Sequence, residues 1–333
     1  MTTTRTPAPS AVKTVSATAL TALTVLAGML GPMQSYVNGH LGQQLHDGQA
    51  AALVSFGTGL LLMLIVVLSR THTRDAFVQL PGQLRRRAIP LWNFFAGLCG
   101  AVIVVSEGVT VGALGVAVFQ TSLISGMVIS GVLCDRLGIG VPFRQAVTAP
   151  RLAGAVLAIA ATVLVVSPGW SAPHTVALAV MPLVGGLLAG WQPAGNSEVG
   201  NLAGSMLVSI TWNFLIGFVA IGAVFVVRMV LSGAHFGLPD TWWLYLGGPL
   251  GLLSIAVMAL LVRGLGLLLL GLASTAGQLI GSIAIELGLP SNGQSVHLVT
   301  ILGAAVALVA AAVAMIPGGR VGAAAKTVGA SHA

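Results

Sequence analysis

Gly31-Pro32-Met33-Gln34-Ser35-Tyr36-Val37-Asn38 closes the first long apolar run of the chain, and Gly190-Trp191-Gln192-Pro193-Ala194-Gly195-Asn196 closes a later one in nearly the same way. In each, a proline stands close to a glutamine and an asparagine follows that glutamine by four residues, a spacing that puts both amides on one helix face. Each unpaired polar group in hydrocarbon costs free energy on the kcal/mol scale. A spanning helix that carries two amides and a proline therefore has something polar to line, and its recurrence predicts a duplicated membrane unit.

The duplication extends outward from these two stretches. Gly28, Gln34, Asn38, Gly42, Phe56 and Gly59 recur as Gly186, Gln192, Asn196, Gly200, Phe214 and Gly217, an offset of 158. Farther on the offset is 151, matching Trp92, Gly97, Gly100, Leu114, Gly115, Gly126 and Asp135 with Trp243, Gly248, Gly251, Leu265, Gly266, Gly277 and Glu286. Gly154 and Pro168 recur as Gly303 and Pro317, at 149. The lost residues fall between elements, where deletion is tolerated.

Of the 333 residues, 56% are hydrophobic and 6% charged, and the mean hydropathy is +0.99. A soluble domain carries roughly a quarter charged residues, so the chain is an integral membrane protein. Its net charge of +7 arises from only 14 Lys and Arg, most of them in short loops. That pattern sets orientation in a membrane and does not call for nucleic acid. Cys99 and Cys134 form no metal or redox motif and read as small packing residues. Gly108-x3-Gly112, Gly186-x3-Gly190 and Gly277-x3-Gly281 suit close approach of helices.

Apolar stretches near 20 residues, the length that crosses a hydrocarbon core, fall at about 17–37, 49–68, 89–110, 113–134, 150–168, 174–194, 206–228, 241–262, 264–286 and 297–316. Two very short turns, near Gly112 and Arg263, divide long apolar runs. The expected organisation is a disordered tail over 1–16, a first five-helix repeat over 17–168, a second over 174–316, and a tail over 317–333. The basic start followed by an apolar run resembles a signal peptide, but the repeat begins inside that run. The longest polar segment is Ser69 to Ala88. The fold class predicted is an all-α polytopic membrane protein of ten transmembrane helices in two inverted repeats.

Inversion follows from parity, because five crossings bring the second copy in from the opposite side. With the N-terminus in the cytoplasm, the inner segments hold Arg5, Lys13, Arg70, Arg74, Arg85, Arg86, Arg87, Arg136, Arg144, Arg151, Arg263, Arg320 and Lys326, leaving only Arg228 outside. The positive-inside rule then puts both termini in the cytoplasm of a multi-pass plasma- or inner-membrane protein. The Arg85-Arg86-Arg87 run suits anchoring against anionic lipid. Two oppositely oriented copies have nearly equivalent inward-open and outward-open arrangements, the architecture of alternating-access carriers. A scaffold has no need of repeated polar groups within its spans.

The two five-helix halves, Gly-Pro-x-Gln-x3-Asn at 31–38, the Ser-Phe and Asn-Phe pairs at 55–56 and 213–214, and Gly277-Gln278 before Glu286-Leu287-Gly288 together resemble the drug/metabolite transporter superfamily. More narrowly, they resemble its YdcZ-like branch of inner-membrane exporters, which occur as five-helix units or fused pairs. The resemblance covers roughly residues 17–316 and implies a fused two-repeat exporter of the EamA-like plan. Departures are Gly126-Met127 where the second half has Gly277-Gln278, and Asp135-Arg136-Leu137-Gly138 against the shorter Glu286-Leu287-Gly288. These weigh against a symmetric two-site mechanism.

The candidate pathway residues are Gln34, Asn38, Gln192 and Asn196, with Gln120, Asn213 and Gln278 within spans. The four repeated amides either line the pathway or bond backbone groups freed by Pro32 and Pro193. Trp191 and Trp212 could stack on a planar substrate or act as interfacial anchors, the role given to Trp92, Trp242 and Trp243. Glu107 is the acid most deeply embedded in an apolar run and is the coupling-proton candidate, set against exposure near a span end. Its repeat mate is Met258. Asp135 and Glu286, at span ends, are expected to face water, with Arg136 or Arg144 as partners for Asp135.

No metal-ligand spacing, Ser-His pair at depth or His-Glu-x-x-His motif supports an enzyme, and no cofactor is expected. The expected partners are a small-molecule substrate, protons as coupling ion, the lipid bilayer and, as an open expectation, a second copy in a homodimer. The scarcity of charge within spans favours a neutral or cationic organic substrate, since a multiply charged anion would call for buried Arg or Lys. A channel, sensor or scaffold is the competing class.

Overall fold

A computed structural model describes residues 16–139, 144, 146–169, 173–232, 237–290 and 297–316. Apart from Ser16, the two expected tails, with Arg5, Lys13, Arg320 and Lys326, lie outside these residues. The first apolar run forms two helices, α1 (Ala17–Gly28) and α2 (Leu30–Leu45), broken at Met29. Proline offers no N–H to the carbonyl four residues back, and its ring crowds that carbonyl. For Pro32 that carbonyl is Gly28's, where α1 ends. The span continues to Leu45, beyond the expected end at residue 37.

The first half continues with α3 (Gly48–Leu68), α4 (Thr71–Arg85), α5 (Leu91–Phe94), α6 (Gly97–Leu114), α7 (Val116–Leu137) and α8 (Ala149–Val166). Helix α4 occupies the stretch expected to be merely polar. Its buried Leu80 packs against Met63, Val67, Phe94 and Trp212 while its arginines stay exposed. The second half runs α9 (Pro173–Ala189), α10 (Gln192–Ala203), α11 (Met206–Ser232), α12 (Gly247–Gly288) and α13 (Leu298–Ala314). Here α9 ends at Ala189, four residues before Pro193, so each copy of the first span breaks four residues before its own proline, although the two prolines are not repeat mates. Among the described residues, nine helical segments are long and apolar enough to cross a bilayer, and the shorter Leu298–Ala314, the mate of α8, supplies the tenth.

Helix α12 turns at Gly266 into two limbs, the mates of α6 and α7. Gly266 (φ +72°, ψ 169°) and its mate Gly115 (φ +82°, ψ 159°) share a backbone conformation essentially restricted to glycine. Each joins its third and fourth spans with no intervening loop. The divisions therefore fall at Gly115 and Gly266, not near Gly112 and Arg263 as the apolar run lengths suggested.

The halves meet about a two-fold axis, recognisable because contacts are reciprocal. Phe56 of α3 and Phe214 of α11 pack with ring centroids 5.3 Å apart. Phe214 fills the space beside Gly59 as Phe56 does beside Gly217. Helix α1 crosses the second limb of α12, where Gly28 abuts Gly277, and α9 crosses α7, where Gly186 abuts Gly126. Helix α8 packs on α13, Gly154 against Ala310 and Ala314, Gly303 against Ala161 and Val165. Lipid is as apolar as leucine, so such interfaces rely on small residues that let backbones approach. Val219, Val224, Val226 and Val230 of α11 face outward, the surface a lipid-facing helix presents. The protein is an all-α polytopic membrane protein of two five-helix repeats, inverted because each unit crosses the membrane an odd number of times.

Candidate functional site

Helix α7 and the second limb of α12 are repeat mates that run antiparallel beside the two-fold axis. Each carries a stripe at helical spacing, matched by the offset of 151. On α7 the stripe is Gln120, Ile124, Met127, Gly131 and Asp135; on α12 it is Gly271, Thr275, Gln278, Ser282 and Glu286. Between the helices lies a cavity of about 910 Å³, walled by Ile124, Met127, Gly131 and Asp135 of α7 and by Leu270, Gly271, Ser274, Thr275 and Gln278 of α12. Met258, Arg151 and residues at the end of α13 complete it. That volume lies in the range of small-molecule sites, which combine apolar walls with a few polar groups.

The two ends of the cleft differ. At one, the Val116 N–H donates to Glu286 Oε2 at 2.6 Å. Val116 opens α7, and a carboxylate there satisfies a donor that has no partner within its own helix. Glu286 is buried, 7% exposed, and the plug of Val111, Val116, Phe119 and Leu123 seals the end together with Tyr36, Ile103 and Ile285. At the other end Asp135, the mate of Glu286, pairs with Arg151 at 2.9 Å. Among the described residues, no neighbouring atom comes within 4 Å of the place a side chain would occupy at Gly266, whereas at Gly115 the Glu286 carboxylate does. The expectation that both acids face water is therefore corrected. Glu286 is buried because its span ends against the N-terminus of α7, and the partner of Asp135 comes from α8, not from Arg136 or Arg144.

Glu107, on α6, is 4% exposed, which removes the interfacial alternative. Its Oε1 accepts from Ser35 Oγ at 2.8 Å and its Oε2 from Asn38 Nδ2 at 2.6 Å. Gln120 of α7 donates in turn to Ser35 Oγ at 2.9 Å. The carboxylate thus sits among neutral donors from three helices and pairs with no cation among the described residues. Asn38 Oδ1 and Gln120 Oε1, both buried, have no hydrogen-bond partner among the described residues.

The second half builds a different polar cluster. Gln192 Nε2 donates to Asn213 Oδ1 at 3.2 Å, and Asn213 Nδ2 to Asn196 Oδ1 at 2.7 Å. Gln34 lies against Gly251, and Gln192 against Gly100, the mate of Gly251. The repeated amides thus pack reciprocally on the third span of the other half. Gln278 lies in the cavity wall, its Nε2 3.3 Å from Ser274 Oγ. Trp191 is half-buried at the break between α9 and α10. Trp212 is buried in the core under α4, with its indole N–H on the Phe94 carbonyl at 2.9 Å, away from the cavity. Trp92 and Trp242 are exposed, whereas Trp243 stacks on Tyr36 and lies tilted against His40. Sequence reasoning missed Ser35, Ile124, Met127 and Thr275 as site residues. Two signals pointed to them: the offset of 151 that aligns the α7 and α12 stripes, and the Ser beside Gln34.

Comparison with known proteins finds no match among curated sequences. A family model described as "Putative inner membrane exporter, YdcZ" matches twice in succession, over residues 19–164 and 177–313. Each match falls on one set of five spans, in agreement with the reciprocal contacts of the fold, and together they cover most of the chain: it belongs to the YdcZ family of the drug/metabolite transporter superfamily, as a fused pair of that family's units.

Proposed function

We propose that the protein is a secondary-active exporter of a small organic metabolite or drug-like compound, working by alternating access between its two inverted repeats. One observation carries this reading: the cleft between two symmetry-equivalent helices is sealed at the Glu286–Val116 end and open at the Asp135 end. A channel needs a continuous path, whereas a carrier needs a site closed to one side. The positive-inside rule puts the open end, beside Arg136, Arg144 and Arg151, on the cytoplasmic side, together with both termini. A cavity loaded from the cytoplasm suits export. Among the described residues its ionisable lining groups are Asp135 and Arg151, which neutralise each other, and this suits a neutral or cationic substrate.

Glu107 is the group best suited to carry a coupling proton. A lone carboxylate inside a membrane protein is costly as an anion, and Asn38 Oδ1 lacks a donor among the described residues. Turning over the Asn38 amide would present that oxygen to Glu107, where the proton of a neutral carboxyl would satisfy it. Gln34, Asn38, Gln120, Gln192, Asn196 and Asn213 then serve as hydrogen-bonding groups near the moving cleft.

Thermal-shift screening of the purified protein against metabolites and lipophilic cations identifies ligands, because binding to the folded form raises apparent stability. Proteoliposomes preloaded with an unlabelled hit should then accumulate the labelled compound faster than empty ones. Flux that rises linearly with concentration and shows no such counterflow would establish a channel instead.

A further inference from the structure

The repeat predicts a second cavity that this conformation hides. Replacing each wall residue of the observed cavity by its mate gives the wall of an opposite-facing one. Met258 becomes Glu107, Gly271 becomes Gln120, Gly131 becomes Ser282 and Asp135 becomes Glu286. In the present structure these residues are the buried polar cluster and the seal.

Two pairs of mates behave differently. Ile124 and Thr275 both line the observed cavity, as do Met127 and Gln278. Exchange of the halves converts each pair into itself, so these four residues would line the cavity in either conformation. A carrier requires such a place, because its substrate must be held where both sides reach it in turn.

We propose that Ile124, Met127, Thr275 and Gln278 form the substrate site, and that release of Val116 by Glu286 opens a mirror cavity lined by Glu107, Gln120 and Ser282, while Asp135 caps the N–H of Leu267 to close the present one. This rests on the carrier reading and deepens it. The site takes an amphipathic molecule: Ile124 and Met127 cover an apolar body, and Thr275 and Gln278 bond one polar group. Anions are excluded, because the mirror cavity exposes two carboxylates and the mate of Arg151 is the neutral Thr300. The two acids are thus alternative latches, each capping the fourth span of one half in one conformation.

Single cysteines test this in a chain carrying Cys99→Ala and Cys134→Ser, labelled with a membrane-impermeant maleimide from either face of oriented vesicles. Gly131→Cys places its side chain in open space, Ser282→Cys is nearly isosteric, and Met127 is already 40% exposed. Gly131→Cys should label from one face, Ser282→Cys from the opposite face, and Met127→Cys from both. Adding Glu286→Ala should raise Ser282→Cys labelling about fivefold, the weight of one lost helix cap. If Met127→Cys labels from both faces while Ser282→Cys labels from neither, or from the face that reaches Gly131→Cys, the mirror cavity is wrong and the carrier survives. If Met127→Cys labels from one face under all conditions, the carrier reading itself fails.

Discussion

At the scale of single residues, Glu107 concentrates the chemistry. The sequence put a carboxylate at depth but left its exposure open; three helices then surround it with Ser35, Asn38 and Gln120. Glu107→Gln should preserve the fold to within about 1 kcal/mol, the net size of one hydrogen bond. The amide oxygen still accepts from Ser35, and Asn38 can turn its own oxygen toward the new N–H₂. Transport by this variant should no longer respond to a protonophore, measured as labelled-ligand flux in energised vesicles; an undiminished response would assign coupling elsewhere. That Glu107 and Gln120 share a site was not legible in the sequence, since thirteen residues and a helix turn separate them and only the crossing of α6 and α7 with α2 joins them. Trp212 illustrates the opposite limit. An indole beside Asn213 reads equally well as a stacking platform or as core, and only the Phe94 carbonyl, 118 positions away, decides for the core.

Among elements, the turns at Gly115 and Gly266 are the sharpest structural commitments. Both glycines are visible in the repeat, yet run length alone set the divisions a few residues away, because hydropathy does not register a single positive φ. Gly115→Ala and Gly266→Ala should each cost about 1–3 kcal/mol of backbone strain. The Gly115 variant should be the more damaging, since its methyl would lie 2.7 Å from Glu286 Oε1 whereas Gly266 faces open space. Thermal unfolding in detergent would compare them, and equal losses would argue against a tight latch at Gly115. The breaks before Pro32 and Pro193 were foreseeable from proline chemistry, and each falls four residues upstream. Helix α4 was not foreseen, because its apolar face consists of a few residues among arginines and matters only once Trp212 is there to cover.

For the whole molecule, the interface between halves consists of reciprocal helix crossings, so the protein should behave as an intramolecular dimer. Fragments 1–170 and 171–333, co-expressed, should purify together, and neither should be monodisperse alone, as tagged pull-down and size exclusion would reveal. A half that is stable by itself would mean that its inter-repeat face needs no partner. The sequence by itself determined the span count, the duplication and, through the odd number of crossings, the inversion. Each of these depends on local hydropathy and on a periodic match between two stretches of one chain. Only the tertiary structure decided that Glu286 is buried against Val116 while Asp135 is drawn to Arg151. Two mates with equal local sequence signals take unequal positions because Glu286 ends its span against the N-terminus of α7 whereas Asp135 lies beside Arg151 of α8, and which neighbour each meets depends on the packing of the whole bundle.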